Sequence, residues 1–210
     1  MLKIWGRISS INVKKVVWAA QELGLPFERT EAGGAFGMTK TPDYVAMNPN
    51  SLVPVINDGG FVLWESNVVL RYLCAKYSPG NFYPHDLQER FNAERWMDWQ
   101  QTSFNPASRD AFWQQIRVPV EQRQPALIAK SIAATTALLA ILEGHLAQSA
   151  FVTGAHFTMA DIPLACEIHR WWGLPQAAAH PREIHPHIQA WYTQMQARPA
   201  SHGVLDLALA

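Results

Sequence analysis

The sequence has only two cysteines and no excess of charge of either sign. Its 17 Lys and Arg residues balance 17 Asp and Glu residues, so it lacks the basic surplus typical of nucleic-acid-binding proteins. Cys74 and Cys166 are far apart and form neither a CxxC pair nor a metal-ligand spacing. We therefore expect two buried free thiols in a reducing compartment.

The sequence also lacks an apolar run that approaches the roughly 20 residues needed to cross a bilayer. Its first ten residues, MLKIWGRISS, lack the apolar core of a secretory signal peptide. His180, His185 and His187 share a proline-containing loop without metal-ligand spacing, and we expect them on the surface. These absences favour a soluble, cytoplasmic protein without a membrane, nucleic-acid or metal partner.

Hydrophobic residues make up 49% of the 210 positions, which is enough to bury a core. The chain opens with a predicted strand over 2–6, a helix with one apolar face over 13–23, and a strand over 27–32. A hairpin over 52–64, around an Asp-Gly-Gly turn, and a helix over 68–77 follow. The predicted order is β-α-β and then β-β-α, with the first two strands parallel.

The segment SPGNFYPHD, residues 78–86, is the best candidate for an interdomain linker because it holds two prolines and a glycine. No strand is predicted after it. Helical patterns follow over residues 88–101, 126–148 and 186–198. We therefore predict an α/β N-terminal domain, a linker and an all-α C-terminal domain over residues 1–78, 79–86 and 87–210.

The segment Ser9-Ser10-Ile11-Asn12 connects the first predicted strand to the first predicted helix. A helix N-terminus presents free N–H groups and a partial positive charge, which favours an anion. A serine hydroxyl there can also donate to a thiolate. The alternative is that one of these side chains only caps the helix.

Two further segments on the same half carry groups suited to a peptide ligand. Val53-Pro54 precedes the first hairpin strand, and a cis bond there would expose the Val53 backbone to an extended peptide; the alternative is an ordinary trans edge proline. Glu65-Ser66 begins the next helix and offers an acceptor for an ammonium group and a hydroxyl for a carboxylate. The alternative for this pair is a simple helix cap.

The order and spacing of these segments resemble those of the cytosolic glutathione transferases. The matching stretches are WGRISSINVKK, NPNSLVPV, LWESNVVLRYL and FTMADIPLA, and the resemblance covers nearly the whole chain. It implies the family architecture, a thioredoxin-like N-terminal domain (βαβ-ββα) followed by an all-helical domain. It also implies a homodimer, glutathione as co-substrate without a metal, and a role in detoxification.

The resemblance also assigns roles to individual residues. It implies that Pro54 is a cis-proline and that Val53 pairs with the cysteinyl backbone of glutathione. It implies that Glu65 and Ser66 bind the γ-glutamyl end, and that residues 158–161 form a structural cap outside the active site. Lys40 is a candidate partner for the glycyl carboxylate, with a solvated loop lysine as the alternative.

The first loop resembles that of the serine-type enzymes, the phi and theta-like bacterial classes. No tyrosine occurs before Tyr44 and no cysteine before Cys74, which argues against the tyrosine and cysteine types. The phi pattern Gly-x-x-x-Ser-x-Asn-Val places the catalytic hydroxyl at Ser10. Phi enzymes carry glutamine where this chain has Leu52, so one glutathione contact is missing or supplied elsewhere.

Ser9 and Asn12 stay open as alternative thiolate donors, and Arg7 is a charged neighbour suited to a thiolate or an acidic co-substrate. A free thiol has a pKa of about 8.5, and the thiolate is the nucleophile. Lowering that pKa by about two units takes about 2.7 kcal/mol of preference for the anion. A hydroxyl donor at a helix N-terminus can supply this preference without a general base.

We expect the second-substrate pocket between the halves, lined by Phe104, Arg109, Phe112, Trp113 and Arg117. The aromatic side chains suit an apolar electrophile, whereas the arginines suit an acidic one such as a haloacid. The alternative is that the aromatics pack in the core or at a dimer interface. Alternatives to a conjugating transferase are a glutathione-dependent dehalogenase, isomerase or peroxidase, or a non-catalytic binding module.

Overall fold

The computed structural model describes residues 1–175 and 183–210. The N-terminal half contains a sheet of four strands, β1 (Leu2–Trp5), β2 (Phe27–Thr30), β3 (Val55–Asp58) and β4 (Phe61–Trp64). Their order in the sheet is β2-β1-β3-β4. Strands β1 and β2 are parallel, and β3 is antiparallel to both β1 and β4. The predicted parallel pair and the antiparallel hairpin are both confirmed.

The hairpin turn between β3 and β4 is made by two glycines with positive φ. Gly59 has φ 63° and Gly60 has φ 99°, and the Gly60 N–H donates to Asn57 Oδ1 at 2.8 Å. Residues with a Cβ rarely adopt such φ angles, so the two glycines of the Asp-Gly-Gly sequence favour this tight turn.

Three helices accompany the sheet: α1 (Ile11–Glu22), α2 (Pro42–Met47) and α3 (Ser66–Tyr77). Helix α1 is buried on every side over residues 13–20 because it packs against α3 and against a helix of the C-terminal half. A helix in this position has no solvent face. The N-terminus of α1 therefore lies where the two halves meet.

The described residues after Asp86 hold helices and a single bridge between Phe151 and Gly154. The helices are α4 (Leu87–Trp99), α5 (Asn105–Phe112), α6 (Pro125–Leu146), α7 (Asp161–Trp172) and α8 (Pro186–Gln196). The predicted all-helical half is confirmed. A π-helical turn, Gln100–Phe104, joins α4 to α5, and a second, Trp113–Arg117, follows α5. Such turns are frequent at functional sites.

Residues 78–86 separate α3 from α4 without a helix. Asp86 begins α4, and its Oδ1 accepts the N–H groups of Gln88 at 2.9 Å and Glu89 at 3.0 Å. This is an N-cap, and it fixes where the helical half starts. The division into domains at 78 and 86 stays a prediction.

Helix α6 is long and apolar enough, by length and composition, to cross a membrane. This corrects the expectation that no apolar run approaches that length. Core helices of soluble proteins also reach this length and apolar character, so a single such helix is weak evidence for a membrane span. The buried residues of α6 recur every three or four positions, as one packed face does: Ser131, Thr135, Leu139, Leu142 and Leu146.

The segment before α7 is organised by the buried carboxylate of Asp161. Its Oδ2 accepts the Thr158 N–H at 2.9 Å, and its Oδ1 accepts the Val152 N–H at 3.0 Å and the Trp191 indole N–H at 2.9 Å. Burial raises the pKa of Asp161 to about 6. The carboxylate thus ties the start of α7 to α8, in keeping with the structural cap that the family resemblance implies.

The loop histidines differ from the expectation of three surface side chains. His185 is buried, because it immediately precedes α8 where that helix packs on α6. His187 is exposed, and its Nδ1 lies 2.7 Å from Glu143 Oε1 of α6. His180 lies outside the described residues. Both cysteines are buried free thiols, as expected.

Candidate active site

A cleft of about 500 Å³ lies between the two halves. One wall is formed by the loop from β1 to α1, by Gly33 and Gly34, and by residues 51–53. The opposite wall is formed by α5, the π-helical turn after it, and α7. Backbone groups and hydroxyls therefore face arginine and aromatic side chains across one cavity.

Ser10 occupies the N-cap position of α1 and lines this cleft. Its backbone is extended (φ −82°, ψ 126°), yet its hydroxyl makes no capping hydrogen bond. The Ser10 carbonyl accepts the N–H groups of Val13 at 3.0 Å and Lys14 at 2.9 Å. Within residues 1–175 and 183–210 the hydroxyl has no hydrogen-bond partner, and it lies beside the N-terminal N–H groups of α1, where an anion is favoured. Ser9 lines the same cleft.

Asn12 lies in the first turn of α1 and joins the starts of two helices. Its Oδ1 accepts the Ser66 hydroxyl at 3.2 Å, and Ser66 is the first residue of α3. Ser66 is 2% exposed. The asparagine carbonyl oxygen therefore already has a partner, whereas the Ser10 hydroxyl has none among the described residues.

Glu65 precedes α3 in a backbone conformation that residues other than glycine rarely adopt. Its φ is 71°, and its carbonyl accepts the Val69 N–H at 2.8 Å. Its carboxylate is exposed and forms no ion pair within the described residues. A non-glycine residue at such a φ marks local strain, which clusters at ligand-binding sites.

The Val53–Pro54 peptide bond is cis. The Leu52 carbonyl before it accepts the Tyr44 hydroxyl at 2.8 Å and the Asn48 side-chain amide at 2.9 Å, which fixes this loop. In the described part of the chain, the Val53 N–H and carbonyl make no hydrogen bond with the protein. They are thus free to pair with an extended peptide in the cleft.

The predicted site residues do not all reach the cleft, whose lining does not include Lys40, Pro54, Glu65, Ser66 or Phe104. Arg109, Phe112, Trp113 and Arg117 line it together with Arg7. Phe104 is fully buried instead, with its ring 5.5 Å from the Trp99 ring. Lys40 is exposed on the loop before α2, next to Thr39, which does line the cleft.

Sequence reasoning missed Lys14 and His169, which also line the cleft. Lys14 Nζ lies 2.9 Å from His169 Nε2 and donates to the Val204 carbonyl at 2.8 Å. Burial lowers the pKa of Lys14, and burial together with the Lys14 charge lowers the pKa of His169 to about 4. His169 is therefore neutral near pH 7. The sequence signal that indicates Lys14 is its spacing, because it follows Ser10 by one helical turn and so lies on the same face of α1.

Comparisons with known proteins place these observations in a family. The profile of the glutathione S-transferase N-terminal domain matches residues 9–76, and that of the C-terminal domain matches residues 125–194. The chain is 38% identical over 207 residues to glutathione S-transferase GstB of Escherichia coli (strain K12), across 98% of each chain. The chain belongs to the glutathione S-transferase family.

Two further relatives bear on the class of this glutathione S-transferase. The theta class enzyme from Xanthomonas axonopodis pv. citri, with glutathione bound, superposes with a TM-score of 0.94 at 42% identity. That comparison covers 100% of this chain and 99% of the other. Glutathione S-transferase theta-1 of Mus musculus is 32% identical, across 94% of this chain and 83% of its own.

The cysteine that borders the cleft of this glutathione S-transferase is unreactive. Cys166 is fully buried, and burial raises the pKa of its thiol to about 12. The nucleophile of a thiol group is the thiolate, so Cys166 is inert near neutral pH.

A buried polar network holds the two halves of the transferase beside the cleft. Lys15 Nζ donates to Gln100 Oε1 at 2.8 Å and to Asn67 Oδ1 at 3.2 Å. Glu167 accepts from Gln100 Nε2 at 2.7 Å and from the Ser108 hydroxyl at 2.6 Å. Burial lowers the pKa of Lys15 to about 8. Because these groups are paired, they fix α1 against α5 and α7.

Proposed function

We propose that this chain is a glutathione transferase that conjugates the thiolate of glutathione to small electrophiles. The observation that carries the proposal is the unengaged Ser10 hydroxyl at the start of α1, on the wall of the cleft. The glutathione-bound structure of the Xanthomonas relative, with the same fold, supports the choice of co-substrate. The matches to named glutathione S-transferases favour this function over a non-catalytic module.

The binding roles of Val53, Glu65 and Lys40 follow from groups that lack partners among the described residues. The Val53 backbone would pair with the cysteinyl part of glutathione, Glu65 would accept a hydrogen bond from its α-ammonium group, and Lys40, on the rim, would meet the glycyl carboxylate. The Ser66 hydroxyl, which donates to Asn12 Oδ1 at 3.2 Å, would turn to donate to the γ-glutamyl carboxylate. No metal is needed, and the residues 1–175 and 183–210 contain no cluster of three His, Cys, Asp or Glu side chains placed to hold one.

The chemistry that we propose is anion stabilisation followed by substitution. The Ser10 hydroxyl donates to the glutathione sulfur, and Ser9 or Asn12 is the alternative donor. Together with the N-terminal dipole of α1, this hydrogen bond lowers the pKa of the thiol, whose free value is about 8.5. The sulfur then attacks the electrophilic carbon, and the cleft contributes positioning and the stabilisation of negative charge.

The Ser66→Ala variant tests the binding site. We expect its Kd for glutathione, measured by isothermal titration calorimetry, to rise about 10- to 100-fold, because a hydrogen bond to a charged group is lost. Ser78→Ala, at the opposite end of α3, is the matched control and should keep the wild-type Kd. Equal affinities for the two variants would remove Ser66 from the glutathione site.

We further infer a soluble, cytoplasmic homodimer that acts in detoxification, with domain boundaries at residues 78 and 86. The family relationship supports these inferences. Light scattering should give about twice the chain mass of 23.6 kDa. A single-chain mass at micromolar concentration would contradict the dimer.

A further inference from the structure

The segment 202–210 brings one side chain, that of Leu209, into the lining of the cleft. The segment lies within the described part of the chain and contains no helix or strand. Its backbone groups therefore lack the regular partners that a helix or a sheet provides. The bonds that the rest of the protein makes to the segment decide where Leu209 lies.

The segment follows helix α1 toward the cleft. Gln21 Nε2, near the end of α1, donates to the His202 carbonyl at 3.1 Å. Lys14 Nζ, about two helical turns earlier, donates to the Val204 carbonyl at 2.8 Å. Side chains with this spacing lie on the same face of a helix. The segment thus runs from the end of α1 toward its start, and Leu209 lies in the cleft where α1 begins.

Lys14 and His169 hold the middle of the segment between α1 and α7. Lys14 Nζ lies 2.9 Å from His169 Nε2 and can only donate, so the neutral ring carries its proton on Nδ1. Nδ1 lies 3.1 Å from the Tyr192 hydroxyl, and the ring also hydrogen-bonds the Leu207 backbone. Lys14 is 3% exposed, and a buried ammonium group needs such partners. One ammonium group thus links α1, α7 and the segment.

Leu209 packs against the end of α7, where Gly173 leaves room for it. A Cβ on Gly173 would lie 2.8 Å from both Cγ and Cδ1 of Leu209. The backbone of Gly173 has φ −73° and ψ −11°, which any residue adopts. The glycine is therefore required here for space and not for its backbone freedom. Its missing side chain admits Leu209 to a partly buried place on the cleft wall.

Leu209 lies on the wall that would face the second substrate. The groups that would hold glutathione are at the starts of α1 and α3 and at Val53, whereas Leu209 lies against α7. The cleft of about 500 Å³ would have to hold glutathione and the electrophile together. A branched apolar side chain that is fixed on this wall would contact the apolar part of the electrophile and limit its size.

We propose that Leu209 limits the length of the apolar electrophile, and that Lys14, supported by His169, is the positioning residue that keeps Leu209 in place. This inference rests on the proposed transferase function. The substrates favoured are compact uncharged electrophiles such as a benzyl halide. The glutathione sulfur forms the C–S bond, the C–halogen bond breaks, and halide leaves with the bonding pair. No oxidant or reductant is required.

Benzyl chloride and 4-propylbenzyl chloride test the inference, because they share the reacting carbon and differ in length. The propyl group has as many carbons as Leu209→Ala removes. For each probe, kcat/KM with saturating glutathione is divided by the rate constant of the uncatalysed reaction. We expect this enhancement in the wild type to be at least about tenfold smaller for the propyl compound. In Leu209→Ala, the ratio of the propyl to the unsubstituted enhancement should rise at least about tenfold.

Gly173→Ala tests the same wall without changing a residue that lines the cleft. Its new Cβ would displace Leu209, so we expect the ratio to rise at least about threefold. Gly144→Ala on α6 is the matched control, because a Cβ there meets nothing within 4 Å. Leu87→Ala, at an exposed position of α4, is the control for Leu209→Ala. Both controls should keep the wild-type ratio, and calorimetry with glutathione establishes that each variant is folded.

Lys14→Met tests the positioning role. We expect the ratio to rise about as much as in Leu209→Ala, because the Val204 carbonyl and His169 lose their donor. Any change in the thiolate cancels in this ratio, since both probes meet the same sulfur. If Lys14 acts through Leu209, the double variant Lys14→Met/Leu209→Ala shows no further rise. Effects that multiply in the double variant would contradict the positioning role.

An unchanged ratio in Leu209→Ala, or an equal rise in either control, would overturn the inference. Turnover of both probes with such a result would leave the transferase function standing while the role of Leu209 fails. If glutathione itself does not bind, the proposed function fails first, and this inference fails with it.

Discussion

We expect the Ser10→Ala variant to lose about 10- to 100-fold in kcat/KM for glutathione conjugation at pH 6.5, because a charge-assisted hydrogen bond to the thiolate is removed. The pKa of the bound thiol, read from the pH dependence of kcat/KM with bromoacetamide, should rise by about one to two units. Because less thiolate is then present near neutral pH, the loss should shrink as the pH approaches 9.

Ser9→Ala and Asn12→Ala are the comparisons that decide among the neighbouring donors. The Ser66 hydroxyl donates to Asn12 Oδ1, so we expect Asn12→Ala to weaken glutathione binding more than it raises the pKa of the thiol. Ser9→Ala should stay near the wild type. An unchanged pKa in Ser10→Ala, with a raised pKa in either neighbour, would assign the catalytic role to that neighbour.

The second large effect that we expect is on stability. Asp161→Ala should lower the free energy of unfolding by about 3–5 kcal/mol, because it leaves buried hydrogen-bond donors unpaired. The donors are the N–H groups of Val152 and Thr158 and the indole N–H of Trp191. Urea denaturation, followed by tryptophan fluorescence, measures the change.

Asp110→Ala is the matched control for Asp161→Ala. Asp110 is exposed on α5, and its loss should change the free energy of unfolding by no more than about 0.5 kcal/mol. Because Asp161 lies outside the cleft, the folded Asp161→Ala protein should keep its glutathione affinity. A normal stability combined with lost affinity would contradict the structural role.

The sequence predicts the order of elements well because local patterns specify it. Alternation of apolar residues and the Asp-Gly-Gly turn predict the hairpin β3–β4, and the β-α-β opening predicts the parallel pair. The last helix is predicted over 186–198 and observed over Pro186–Gln196. Such features depend on neighbours within a few positions, and a single sequence contains that information.

The burial of Lys14 and Lys15 could not be predicted from local sequence patterns. A lysine in a helix is usually exposed, and its burial here depends on partners that are distant in sequence. Lys15 meets Gln100 and Lys14 meets His169, separations of 85 and 155 positions. The burial of Phe104 could not be predicted either, because a local pattern does not specify the π-helical turn that ends at this residue.

The candidate site required the family resemblance as well as local chemistry. Taken alone, Ser9, Ser10 and Asn12 are equivalent as helix caps, and the alternative of an ordinary cap was open for each. The structure distinguishes Asn12 from the two serines, because Asn12 is engaged by Ser66 whereas neither serine hydroxyl has a hydrogen bond among the described residues. Arg7, Arg109 and Arg117 are all predicted from the sequence as site candidates, and the structure places them on one cleft although they come from opposite halves of the chain.

The measurement that tests the account most directly is a pH titration of the ultraviolet absorbance of the thiolate, with glutathione bound to the wild-type protein. We expect a midpoint about two units below the value of roughly 8.5 for a free thiol. Ser10→Ala should move this midpoint back toward the free value. A midpoint for bound glutathione equal to that of free glutathione would contradict the claim that the start of α1 holds a thiolate.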